Sequence, residues 1–143
     1  MPDAPATADA DVVFDAAPSP DAAWPALTGD ILSRLQQVPG MVVVERTDLV
    51  PAGLLGHRFF LLTYTQPVDH TQADGPTFTQ RLTLLHRSDD APVVVYGSGY
   101  DLPAAPTPAR AEPTRLLEAN QIAIEHRFFT PSRPDPADCR MVR

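Results

Sequence analysis

Residues 92–129, PVVVYGSGYDLPAAPTPARAEPTRLLEANQIAIEHRFF, decide the fold. The stretch opens on a continuous apolar run, 92–96, of the kind that a parallel sheet buries on both faces. Gly97, Ser98, Gly99 and Tyr100 follow as a turn, and a proline-rich loop comes next. Residues 112–120 (EPTRLLEAN) read as a two-turn helix, with Pro113 at its first position and Asn120 at its C-terminal end. Residues 121–129 (QIAIEHRFF) return as a second apolar strand. Strand, loop, helix, strand is the pattern of a right-handed crossover, which implies parallel pairing of its two strands.

Upstream, HRFFLLTYT (57–65) is the strongest strand candidate. In PTFTQRLTLLHR (76–87), Phe78, Leu82 and Leu84 alternate against Thr79, Arg81 and Thr83. The turn-rich QPVDHTQADGP between them makes the two an antiparallel hairpin with a long loop. MVVVER (41–46) is β-branched and strand-like. DILSRLQQV reads as a short helix: Ile31, Leu35 and Val38 share one face, Asp30 or Thr28 caps it, and Pro39-Gly40 stops it. The fold class is therefore α/β, with a mixed sheet that is antiparallel first and parallel afterwards. No internal repeat is visible.

Composition narrows the function classes. The chain has 143 residues, one Cys and a formal charge of −7. Its 17 prolines are more than twice the usual share of ~5%. No apolar run approaches the ~18 residues of a membrane span. Cys139 has no partner for a disulfide. The acidic balance and the lack of any basic cluster disfavour nucleic acid as a partner. The acidity is local: Asp3, Asp9, Asp11, Asp15, Asp21 and Asp30 stand in the first 30 residues with no Lys or Arg. Residues 1–29, rich in Ala, Asp and Pro, read as a disordered leader. Their start, MPDAPATADADVVF, has neither the basic nor the apolar region of a signal peptide.

Five blocks carry a family resemblance: HRFFLLTYTQPVDH, GPTFTQRLTLLHR, the Gly-Tyr after PVVVYGS, EPTRLLEANQ and EHRFFTPSRPDPAD. They resemble, in order and spacing, the start of the secreted bacterial serine tripeptidyl aminopeptidases, and LQQVPGM is similar to the mature N-terminal region of those enzymes. These are α/β-hydrolase-fold peptidases, related to prolyl peptidases, that release tripeptides from free N-termini. The resemblance covers 30–138 and makes that segment the N-terminal part of an incomplete hydrolase sheet. It implies a peptide substrate, no cofactor and an extracellular location, although without an export signal in this chain cytoplasmic retention stays open. At 139 the family has Trp where this chain has Cys139, and 139–143 match nothing. The chain thus reads as an N-terminal fragment, inactive alone, whose partner is the missing C-terminal part of the domain. The alternatives are a non-catalytic α/β binding or interaction module derived from a hydrolase, or a sheet completed in trans by a separate chain.

The site residues follow from that reading. The nucleophile elbow G-x-S-x-G is absent, and of the five serines (19, 33, 88, 98 and 132) only Ser98 is flanked by glycines. It lacks the elbow's spacing, so no catalytic residue is assigned and the triad is expected beyond residue 143. Counting 57–65, 76–87 and 92–96 as the first three strands places half of an oxyanion hole at Gly97, Ser98, Gly99 and Tyr100. A plain tight turn is the equal alternative. Glu125 is a candidate for the substrate's free ammonium, or else pairs with Arg127 to fix the loop. Asp69-His70 reads as a solvated turn with Asp69 capping backbone. Histidines 57, 70, 86 and 126 show no metal-binding spacing.

Overall fold

A computed structural model describes residues 26–72, 74–97, 99–127 and 129–136. The leader up to residue 25, Ser98, and the tail with Cys139 lie outside the described residues.

Helix α1 (Ile31–Gln36) starts where the Asp30 side chain accepts the Ser33 amide at 3.0 Å, a conventional N-cap. It ends before Gly40, whose φ is +76° and where an added Cβ would stand only 2.9 Å from the Thr65 carbonyl oxygen. Strand β1 (Met41–Glu45) runs antiparallel to β2 (Arg58–Pro67). Strand β2 pairs with β3 (Thr77–His86) from Arg58↔His86 to Pro67↔Thr77, which is the expected long-looped hairpin. Strand β4 (Val93–Gly97) and β5 (Asn120–Ile124) are parallel, with Val93↔Asn120 and Gly97↔Ile124, as a crossover requires. The helix between them, α2, spans Glu112–Leu116.

The sheet order is β1-β2-β3-β5-β4, so β5 inserts between the hairpin and β4. Alternation along the strands gives the sheet two apolar faces. On one, Phe60, Leu62 and Leu84 are buried beneath Ile31, Leu32 and Leu35 of α1. On the other, Phe59, Leu85 and Leu54 form a second cluster. The proline-rich connection after β4 lies across this second face. It encloses a cavity of about 240 Å³ between Leu102, Pro103 and Pro106 above and Phe59, Thr83 and Ala123 below.

Two local expectations are corrected. The 92–96 run is not buried on both faces: β4 is the sheet edge, with Val93 56%, Val95 65% and Tyr96 49% exposed. Among the described residues only β5 flanks it, so its β-branched sequence is satisfied on one side alone. The helix stops at Leu116, and the left-handed residue after it is Glu118 at φ 47°, not Asn120. Asn120 instead opens β5, and its buried amide ties down the 87–91 connection. It accepts from the Arg87 and Ser88 amides (2.6 and 3.3 Å) and donates to the Ser88 and Ala91 carbonyls (2.8 and 3.0 Å).

Candidate functional site

The carboxyl ends of parallel strands are where open α/β sheets bind ligands, because loops diverge there and leave backbone groups to face a crevice. Here β4 and β5 end side by side at Gly97 and Ile124. The loop after β4 and the segment after β5 then lie against each other, the His126 amide donating to the Tyr100 carbonyl at 3.3 Å.

Glu125 holds this corner together. Its side chain is fully buried and every contact is directed. Oε1 pairs with Arg81 Nη2 and accepts the Leu102 amide at 3.0 Å. Oε2 accepts from Arg81 Nε at 3.0 Å and from the Ser132 hydroxyl. Arg81 Nη2 also donates to the Leu102 carbonyl at 2.7 Å, and the Arg81 amide donates to Ser132 Oγ at 2.9 Å. Three segments distant in sequence, β3, the loop at 99–103 and the turn at 129–133, are thus joined on one carboxylate. Burial alone pushes that carboxyl up, but the bonds from Arg81, Ser132 and Leu102 outweigh it and hold it below its ordinary range.

The ion pair expected between Glu125 and Arg127 is made with Arg81 instead. Arg127 turns the other way: it donates to the Val68 carbonyl at 2.9 Å and lies 5.0 Å above the Phe78 ring. Arg127 Nη1 comes within 3.4 Å of His70 Nε2, tying the β2–β3 loop to the same corner. Asp69 accepts the Thr71 amide at 2.9 Å and the Thr71 hydroxyl at 2.7 Å, the geometry of a capped turn.

Of the oxyanion-loop candidates, Gly97 and Gly99 have no heavy atom within 4 Å of where a Cβ would stand. Gly97 has no left-handed φ either, so nothing among the described residues requires glycine there. Tyr100 is 68% exposed. Arg81 and Ser132, the two side chains that fix the corner, are missed by sequence reasoning, which places Arg81 on the polar side of an alternating strand. Among the described residues no three His, Cys, Asp or Glu gather as metal ligands, and no helix is long and apolar enough to cross a membrane.

Residues 24–142 match the family described as PS-10 peptidase S37. A prolyl tri/tetrapeptidyl aminopeptidase of Streptomyces mobaraensis is 47% identical over 109 residues, which are 76% of this chain. The chain spans 21% of the length of that relative. No solved structure matches the chain.

Proposed function

The chain belongs to the PS-10 peptidase S37 family, and from that premise we propose that it is the N-terminal part of a secreted serine peptidase with an α/β-hydrolase sheet. The enzyme removes short peptides from free amino termini, as the name of the Streptomyces relative states for that protein. The observation that carries the reading is the corner at Glu125. A buried, fully bonded carboxylate sets the loop after β4 at the carboxyl ends of two parallel strands, where a hydrolase of this fold needs a backbone donor.

The chemistry is acyl transfer, in which a serine attacks the scissile carbonyl and negative charge develops on its oxygen. On this reading the nucleophile belongs to the rest of the enzyme, and the elbow motif G-x-S-x-G does not occur in these 143 residues. What they contribute is electrostatic: an N–H of the Gly97–Tyr100 loop, aimed at the developing oxyanion and held by the Arg81–Glu125–Ser132 cluster. A donor of this kind acts through preorganisation, so its worth depends on the loop being fixed before substrate arrives. Glu125, with both oxygens engaged, serves as a positioning residue for that loop.

A chimaera tests the proposal. The matching segment of the Streptomyces enzyme is replaced by this chain's, and a free-amine tripeptide chromogenic substrate is assayed. Retained release of tripeptide is expected; a folded chimaera without activity would refute it. The 143-residue chain alone is expected to be inactive on that substrate.

A further inference from the structure

We propose that the cavity between the proline-rich connection and the sheet binds a single-ring aryl alcohol, phenol in its simplest form, held by apolar walls and by the hydroxyl of Thr83. The inference does not rest on the peptidase reading. The cavity lies on the second face of the sheet, under the connection, and not at the strand ends.

Its floor follows from the strand register. Thr83 pairs with Ala123, and Ala123 with Tyr96, so the three share one row across β3, β5 and β4. Ala123 carries only a methyl between two larger side chains, which leaves a recess in the middle of the row. Phe59 flanks it, and Leu102, Pro103 and Pro106 close it from above, leaving about 240 Å³. The roof is anchored at both ends. The Leu102 amide and carbonyl are bonded to Glu125 and Arg81. At the far end the Gln121 amide donates to the Ala109 carbonyl at 3.0 Å and accepts the Ala111 amide at 2.7 Å. Two anchors and a proline-stiffened span keep the roof from collapsing onto Ala123. The groove between β4 and the start of α2 shares Tyr96, Ala109 and Gln121 with the cavity and forms its open side.

Thr83 decides the chemistry. It is 8% exposed, and among the described residues its hydroxyl has no hydrogen-bond partner. Buried hydroxyls are ordinarily bonded, because an unmade bond forfeits their hydration. Valine would serve the strand equally well in shape and propensity, so the oxygen is what calls for an explanation. Gln121, the other buried polar side chain in the wall, is engaged by Ala109, Ala111 and Thr114. Tyr96 and Thr107 are open to water. One free hydrogen-bonding point in an apolar wall selects a ligand with one polar group. No charged side chain lines the cavity among the described residues, so an ionised ligand would be desolvated without a counter-charge. The flat sides of Phe59, Pro103 and Pro106 suit a planar ring. A cavity of roughly 150 Å³ accommodates benzene, so about 240 Å³ takes one ring with its hydroxyl.

Methyl NMR of the chain, titrated with phenol and separately with benzene, tests this. Phenol should shift the methyls of Leu85, Leu102 and Ala123 saturably and leave those of Leu62 and Leu84 on the opposite face in place. Benzene should move the same methyls with about fivefold weaker affinity, the worth of one hydrogen bond. Thr83→Val should bring phenol down to the affinity of benzene, whereas Thr83→Ser should keep the preference. Ala123→Val fills part of the recess and should weaken both probes by a similar factor. Methyls of Leu62 and Leu84 at their wild-type positions report that each variant is folded, and the two probes on the wild-type chain decide the matter should a variant not fold. Absence of any saturable shift would overturn the site and leave water as the partner of Thr83. Shifts spread over both faces, equal affinity for the two probes, or a phenol preference that survives Thr83→Val would overturn it as well.

Discussion

Arg81 and Glu125 face each other across the β3–β5 ladder, one step beyond the Leu82–Ile124 pair, with the Glu125 amide donating to the Arg81 carbonyl at 3.1 Å. Opposite charges on directly opposed strand positions stabilise a sheet. This pair differs from a surface pair in burial, the Glu125 side chain being 0% and the Arg81 side chain 24% exposed.

The asymmetry of that burial sets an order of costs. Arg81→Met leaves a buried carboxylate without its cation and should cost about 3–5 kcal/mol. Glu125→Gln still accepts the Leu102 amide and leaves an arginine that can reach water, so it should cost roughly 1–2 kcal/mol. Urea unfolding of the two variants gives both numbers. An equal or inverted order would show that the carboxylate is not the group the fold must neutralise.

The same pair makes stability depend on pH. The folded carboxyl of Glu125 is held below its ordinary value of 4.5, so the unfolded chain binds its proton first as pH falls. Its contribution is therefore present above about pH 4.5 and is lost as pH drops through the folded value. Glu45, bonded to Arg58, and Asp89, bonded to Arg34, are also lowered and shift the balance in the same direction. The acid limb of a plot of urea midpoint against pH should be shallower in Glu125→Gln than in the wild-type chain. Parallel limbs would mean that Glu125 titrates alike in both states.

How much of this was legible follows the range of the interactions. Helix α1 and its Asp30 cap are visible because cap and amide lie three residues apart. The β2–β3 hairpin is visible because alternation repeats along both strands. The parallel pairing of β4 and β5 is legible from the helix between them, but not that β5 enters between β3 and β4. That order alone puts Arg81 opposite Glu125, and without it Glu125 has only its sequence neighbour Arg127 to pair with. Ser132 is hidden for the same reason, since its partners lie 51 and 7 residues away on other elements. The apolar run at 92–96 signals a strand correctly, found at Val93–Gly97, but one apolar run cannot tell how many neighbours a strand has.

Asn120 offers a local test of the same corner's opposite end. Four hydrogen bonds from one 5%-exposed amide serve the 87–91 connection. Asn120→Leu strands those backbone groups and should cost about 2–3 kcal/mol in urea unfolding. Asn120→Asp keeps the acceptor for the Arg87 and Ser88 amides and loses the donor, so it should cost less. Amide exchange at Arg87 and Ser88 locates the loss. Unchanged protection there would show that the connection is held by other means.

The exposed edge carries the last prediction. Among the described residues strand β4 pairs with β5 alone and is a sheet edge; it has no charged residue, and exposes Val93 and Val95 on one face and Tyr96 on the other. Natural sheets protect such edges with charge, because a flat apolar edge templates pairing with another chain. The isolated chain should therefore associate, its sedimentation coefficient rising with concentration. Val95→Lys, which places a charge outward at the centre of β4, should suppress association while leaving the β2–β3 core intact. Val42→Lys on the opposite edge strand β1 makes the control, because Val42 is 62% exposed on a strand already bordered by charged Glu45. Should the wild-type chain sediment as a monomer and melt in one sharp cooperative step, β4 is adequately covered as it stands. The chain is then an independent module rather than part of a larger sheet.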